Sequence, residues 1–183
     1  MQLPLRRYHG PVSLVASTQE AARALREIER ESVVGLDTET RPTFKKGDYH
    51  PPSLLQIATA HRVYLFQLLQ LRSHDALVRV LENPGIVKAG VALAHDLAML
   101  RNGFPFQEKC VIDLGDVARH HGSGQAGIRT LAGLCLGFRI SKGGRTSNWA
   151  NPRLTESQII YAATDAWVSR ELYLHFQKAG LID

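Results

Sequence analysis

Asp37-Thr38-Glu39 closes an apolar run, and Tyr161 and Asp165 lie four residues apart near the end of the chain. Carboxylates and a phenol at such spacings can hold metal ions or move protons. On a strand, side chains alternate between faces, so Asp37 and Glu39 project from one face and Thr38 from the other. On a helix, residues four apart are neighbours, so Tyr161 and Asp165 share a face about one turn apart. Each fragment also has an ordinary use. A D-x-E triplet commonly ends a strand in solvent, and a Tyr-x3-Asp pair commonly makes a surface hydrogen bond or places a tyrosine in a core. Asp96, alone in mid-chain, says less still. Nothing in the local spacing brings the strand to the helix. If Asp37, Glu39 and Asp165 do converge, two carboxylates about 4 Å apart repel by roughly 4 kcal/mol at an effective dielectric of 20. Such a cluster must take up protons or cations. Hard oxygen ligands suit Mg²⁺ or Mn²⁺. Two such ions roughly 3.5–4 Å apart stabilise the attacking and leaving oxygens of an in-line displacement.

The surrounding pattern supplies elements that could carry these groups. Val33-Val34-Gly35-Leu36 reads as a short buried strand that delivers Asp37 and Glu39 to its end. Residues 41–52 contain Pro42, Gly47, Pro51 and Pro52 and read as a loop. Residues 53–59 and 62–66 read as a hairpin around Ala60-His61, and further short strands fall at 86–89 and 111–112. Helical spacing marks the segment after a capping box at Ser17 and Glu20, then 76–81, 93–100, the region near Asp116, and 128–136 before Gly137. A second capping box, Thr155 with Gln158, opens the clearest helix, whose Ile159, Ala162, Ala166, Ser169, Tyr173 and Phe176 form a packed face. Strands that cluster early, with helices alternating later, predict an α/β domain with a mixed sheet.

The composition suits a soluble globular chain. The 183 residues suffice for one domain with its own core. The hydrophobic share of 44% and charged share of 21% argue against disorder. A net charge of +5 favours a polyanionic partner without requiring one. Cys110 and Cys135 form neither a CxxC pair nor a zinc spacing and read as reduced thiols of a cytoplasmic protein. No leader and no bilayer-spanning run is read, so no membrane partner is expected. Trp149 and Trp167 are expected in the core rather than as stacking platforms for bases.

Three longer motifs carry a resemblance. The first is Val33 to Thr40, followed by Ser53-Leu54-Leu55-Gln56-Ile57-Ala58. The second is Val87-Lys88-Ala89-Gly90-Val91, leading to Asp96-Leu97 and Leu100. The third is Leu154-Thr155-Glu156, Gln158 and Tyr161-Ala162-Ala163-Thr164-Asp165-Ala166, preceded by Lys142, Arg145 and Ser147-Asn148-Trp149. In these motifs the chain resembles the DEDD superfamily of 3′–5′ exonucleases, in its tyrosine-bearing subclass, and looks most like ribonuclease D and the exonuclease domain of the Werner syndrome helicase. The histidine subclass places its histidine five residues before the last Asp, where this chain has Ile160; His95 lies in a different motif and reads as structural or as a neighbour of the site.

The resemblance implies a ribonuclease H-like fold, a mixed five-stranded sheet flanked by helices, over residues 15–183 after an N-terminal extension of residues 1–14. It implies that Asp37, Glu39, Asp96 and Asp165 hold two divalent cations, Mg²⁺ or Mn²⁺, and that Tyr161 orients or helps deprotonate the attacking water. The substrate would be DNA or RNA with a free 3′ end, and the product a nucleoside 5′-monophosphate. Lys142, Arg145 and Arg129 are expected at phosphates near the cut. Lys45, Lys46 and His50 are expected along the strand, and Thr38 and Leu97 at the terminal nucleotide. Leu97 stands where the Werner-type domain has an aromatic residue, which weakens the expected stacking. The helical modules that follow in ribonuclease D are absent from the sequence given, so a bare catalytic domain is expected. Two other readings compete. A catalytically silent nucleic-acid-binding module would have lost one or more of the acids. A glycosidase using Asp37 and Glu39 as its acid pair would leave Asp96 and Asp165 without a role.

Overall fold

The computed structural model describes residues 2–43, 47, 49–124, 126–144 and 146–182. Its strands are β1 (Val12–Val15), β2 (Val33–Glu39), β3 (Leu54–Ala58), β4 (Val63–Gln67), β5 (Val87–Gly90) and β6 (Val111–Asp113). Its helices are α1 (Thr18–Ile28), α2 (Asp75–Glu82), α3 (Leu93–Gly103), α4 (Leu114–His120), α5 (Ile128–Leu131) and α6 (Glu156–Lys178). Both expected capping boxes form, at Ser17 with Glu20 and at Thr155 with Gln158. The helix expected over 128–136 is divided. After α5 the chain widens into a π-turn, Ala132–Leu136, and stops at Gly137, whose φ of 73° suits a residue without Cβ.

The sheet is mixed, as expected, but has six strands instead of five, in the order β1-β4-β3-β2-β5-β6. The extra strand is β1, which lies partly within the expected N-terminal extension and pairs in parallel with β4. Four residues are too few for a period to be read. The open edge of β4 organises them. The central β2 runs antiparallel to β3 and parallel to β5.

Alternation along β2 divides the molecule into two layers. Val34 and Leu36 face a core built with α1, α2 and α3. Val33, Gly35, Asp37 and Glu39 face the other way, toward α6. Directly opposite them on β3 stand Ala58, Gln56 and Leu54, paired with Gly35, Asp37 and Glu39. Helix α6 lies across this face, where Ala162, Ala163 and Ala166 pack with Leu54, Ala58, Val63 and Leu65. Small residues on both elements let helix and sheet approach closely.

Gly35 is the point of closest approach. A Cβ there would sit 2.0 Å from the Ala166 carbonyl oxygen and 2.7 Å from the Arg170 amide nitrogen. Both are backbone atoms, so no side chain can rotate aside. Gly35→Ala is expected to push α6 from β2, lower stability by about 3 kcal/mol and reduce Tm by roughly 10 °C. A thermal melt checks this, and an unchanged Tm would show that the crossing is looser than described.

Candidate active site

The crossing at Gly35 sets the distance between β2 and α6. Asp37 and Glu39 lie two and four residues beyond it on the strand, and Asp165 lies beside Ala166 on the helix. Carboxylate oxygens of Asp37, Glu39 and Asp165 all fall within 4.8 Å of one another. Glu39 is 8% exposed and Asp165 5%, while Asp37 is half-buried. None of the three forms an ion pair among the described residues.

Asp96 stands slightly apart, for a reason legible in the alternation of β2. Thr38 points to the opposite face from its acidic neighbours and bonds to Asp96, which sits in the first turn of α3. Asp96 still adds its negative charge to Asp37 and Glu39. Two devices fix its helix. Ala92, just before α3, adopts φ 60° and ψ 37°, a left-handed conformation rare outside glycine. The Leu93 amide then donates to Asp113 Oδ2 at 2.9 Å. The other Asp113 oxygen accepts from Gly115 and Asp116 and caps α4. One carboxylate thus ties together the starts of two helices.

Burial is the leading cause of the unusual acidities here. It raises Asp165 to about 7, against help to the charged form from a Tyr161 hydrogen bond and the Arg129 guanidinium. Burial and then the charges of Asp37, Asp165 and Asp96 raise Glu39 to about 10. Asp37 lies well above the usual carboxylate range, through burial and the charges of Asp165 and Asp96. Burial raises Asp96 to about 6, opposed by the Thr38 hydrogen bond and the nearby His95. Tyr161 is also pushed up, by burial, by the charges of Asp165, Glu39 and Asp37 and by its hydrogen bond to Asp165, so its hydroxyl keeps its proton at neutral pH.

Gln56 adds a further mark of this site. It is fully buried, directly opposite Asp37, and its amide favours the ionised form of Glu39. Yet neither its oxygen nor its nitrogen makes a hydrogen bond of ordinary geometry. Buried amides are almost always satisfied by protein, water or ions. This amide, opposite Asp37 and beside Glu39, borders a carboxylate cluster whose oxygens suit hard cations and their water.

Tyr161 is held by its surroundings. Its ring packs 6.1 Å from that of Trp149, which is buried. Gly144, with φ 105°, lies so near that a Cβ would meet the Tyr161 ring at 2.7 Å. A cleft of about 340 Å³ opens over these groups, lined among others by Asp37, Glu39, Arg129, Tyr161, Asp165 and Ser169. Ser169, one turn beyond Asp165, donates to the Asp165 carbonyl at 3.0 Å.

A family model described as 3′–5′ exonuclease matches residues 12–180. The chain belongs to that family. This exonuclease domain is 35% identical over 155 residues to the bifunctional 3′–5′ exonuclease/ATP-dependent helicase WRN of Mus musculus, covering 81% of this chain and 11% of that protein. It is 31% identical over 152 residues to ribonuclease D of Haemophilus influenzae, covering 82% of this chain and 37% of that protein. The chain therefore spans well under half of either relative. Among solved structures it is similar to the Nibbler EXO domain of Aedes aegypti, with a TM-score of 0.85 and 26% identity over 94% of this chain and 91% of that one.

In the exonuclease domain, the structure brings Asp37, Glu39, Tyr161 and Asp165 into one cleft and sets Asp96 outside its lining, near enough for its charge to act on Asp37 and Glu39. Arg129 lines the cleft. Thr38 lines it too, while bonding Asp96. Leu97 is 3% exposed and packs in the core with α1 and α2. Lys142 is exposed on the loop before Gly143, and His50 is half-buried. Lys45, Lys46 and Arg145 lie outside the described residues. Trp149 and Trp167 pack internally, Trp167 between Tyr8 and Phe138. Gln56, Asp113 and Ser169 are residues of the site's surroundings that were not among the expected site residues. A signal existed for the first two: a lone amide within the apolar run Leu54–Ala58, and an Asp preceding a helix with Asp116 three residues on. Ser169 carried none, because one polar residue on a long buried helix is commonplace.

Proposed function

We propose that this exonuclease domain removes nucleotides one at a time from the 3′ end of a nucleic-acid strand by metal-assisted hydrolysis, releasing nucleoside 5′-monophosphates. The observation that carries the reading is the convergence of Asp37, Glu39 and Asp165 within 4.8 Å, two of them buried and one half-buried, with no ion pair to any of the three among the described residues. Asp37, Glu39 and Asp165 would hold one Mg²⁺ or Mn²⁺, and Asp37 with Asp96 would hold a second. Such ions supply a water of lowered pKa and neutralise charge on the leaving oxygen. The chain's own residues do the rest. Tyr161, protonated and hydrogen-bonded to Asp165, orients the attacking water rather than removing its proton. Arg129 brings positive charge to the side of the cleft where phosphate charge accumulates.

Lys142 and Arg145, with Lys45 and Lys46, take up phosphates of the strand, and Thr38 borders the terminal nucleotide. Such contacts give affinity without sequence choice. The free thiols Cys110 and Cys135 suit a reducing compartment, the cytoplasm. No helix among the described residues is long and apolar enough to cross a membrane. The alternative, a silent binding module, leaves a costly cluster of buried acids without use.

Matched single-stranded DNA and RNA 12-mers carrying a 5′ label test the reading. The expected result is a ladder of 3′-shortened products with Mn²⁺ or Mg²⁺, and intact strands with chelator. Internal cuts alone, or no cleavage of either polymer, would overturn it. In the same assay Tyr161→Phe is expected to lower kcat roughly 10²-fold while KM stays within about twofold, as for loss of one orienting group. An unchanged kcat would remove Tyr161 from the mechanism.

A further inference from the structure

A second, larger cavity of about 760 Å³ adjoins the candidate active site, and Tyr161 and Asp165 belong to both. Its floor is one stripe of α6. Ser157, Ile160, Tyr161 and Thr164 recur at intervals of three and four and lead from the helix start to Asp165. One wall is the loop at Ser141, Gly143, Gly144 and Ser147. The facing wall is the N-terminal arm, through Leu5, Arg6, Arg7 and His9.

The arm is fixed in place. Its Arg6 amide donates to the Arg139 carbonyl at 2.8 Å, and the Arg139 amide donates to the Pro4 carbonyl at 2.8 Å. Further on, the Tyr8 amide donates to Thr164 Oγ1 at 3.0 Å, one residue before Asp165. The Tyr8 ring packs 6.0 Å from Trp167. These contacts use backbone and tyrosine, and leave the Arg6 and Arg7 side chains exposed. Neither guanidinium has an ion-pair partner among the described residues, although Glu156 lines the same cavity.

We propose that the arm and this stripe of α6 form the binding track for the strand upstream of the scissile phosphate, with Arg6 and Arg7 engaging its phosphates. This rests on the exonuclease reading and names the substrate form that the site takes, a single strand running along α6 into the carboxylates. From Ser157 to Asp165 the helix rises about 12 Å. That is room for a few nucleotides of one strand, whose axial spacing is about 3.4 Å when stacked as in a duplex and larger when extended. A trough walled on both sides by the arm and the glycine-bearing loop accepts one strand. Guanidinium groups bind phosphate oxygens in pairs, and the two glycines let backbone close over the ligand.

The test is fluorescence anisotropy of a single-stranded 12-mer with chelator present, so that no cleavage intervenes. Arg6→Gln with Arg7→Gln is expected to weaken binding roughly tenfold at low salt, and to make the salt dependence shallower by about 1.4 in log–log slope for two lost single-strand phosphate contacts. Arg6→Lys with Arg7→Lys is expected to restore the slope, which follows the charge, but only part of the affinity, because an ammonium does not bind phosphate oxygens in pairs. With Mn²⁺ present, the glutamine pair is expected to raise KM by a similar factor and to leave kcat within about twofold. Tryptic cleavage after Arg6 and Arg7 of the wild-type chain should slow when the 12-mer is bound, a readout independent of how the variants fold. Equal affinity and slope in the glutamine pair, or unslowed tryptic cleavage, would overturn the track while leaving the exonuclease reading intact. Arg-dependent binding without any Mn²⁺-dependent digestion by the wild type would do the reverse.

Discussion

Asp165→Asn is expected to abolish cleavage, a loss of at least roughly 10³-fold in kcat, while leaving the metal-free fold as stable as before or more so. The same holds for Asp37→Asn. Each change keeps the side-chain volume and removes one charge from a cluster whose members repel. Asp165 is almost fully buried, and its carboxylate acts on Asp37 and Glu39 at once. An ordinary buried polar residue, once truncated, loses stability. Here the sign is opposite because the group is strained by its neighbours until a cation arrives. Tm measured in chelator, beside kcat measured in Mn²⁺, separates the two effects. A variant that loses stability in chelator would show that Asp165 is a structural hydrogen-bonding group, and one that keeps its kcat would remove it from the site.

The second large effect is a pH dependence of stability that metal erases. Without cations, Asp165 titrates at about 7 and Glu39 at about 10 in the folded chain. In the unfolded chain carboxylates titrate near 4. Between these limits the folded state binds more protons than the unfolded state, so stability falls as pH rises. The contribution is complete below about pH 4 and is lost as pH climbs through the folded values. Asp165 alone, moved from 3.8 to about 7, accounts for about 4 kcal/mol. A Tm recorded in chelator should drop by roughly 10 °C between pH 5 and pH 9. Adding Mn²⁺ should restore it at pH 9 and change little at pH 5, because the ion binds the deprotonated ligands. Asp165→Asn should make the chelator profile shallower, with Glu39 supplying the slope that remains. A flat profile in the wild-type chain would mean that the acids are solvated and not confined together.

Local features of the sequence foretold the pieces of this site better than their assembly. Alternation placed Asp37 and Glu39 on one face and Thr38 on the other, and the folded β2 keeps that division. The capping box at Thr155 and Gln158 gave the start of α6, and with it the face shared by Tyr161 and Asp165. These signals are legible because they depend on near neighbours. What joins strand to helix is Gly35 packed under Ala166, a contact between residues far apart in sequence that no local period encodes. The pairing of Thr38 with Asp96 needed the placement of α3 at the end of β5, which Asp113 fixes from a third element. Strand β1 and the arm before it fall largely before the matched motifs begin, and four residues are too few to show a period. Only the edge of β4 and the hydrogen bonds to Arg139 and Thr164 give them a place. The π-turn after α5 was invisible for the same reason, since helical spacing continues through it.

Soaking crystals with Mn²⁺ and mapping the anomalous scattering tests the central claim most directly. Two peaks roughly 3.5–4 Å apart are expected, both touching Asp37, one also held by Glu39 and Asp165 and the other near Asp96. No peak among these carboxylates at saturating Mn²⁺, or peaks only elsewhere on the surface, would contradict the account.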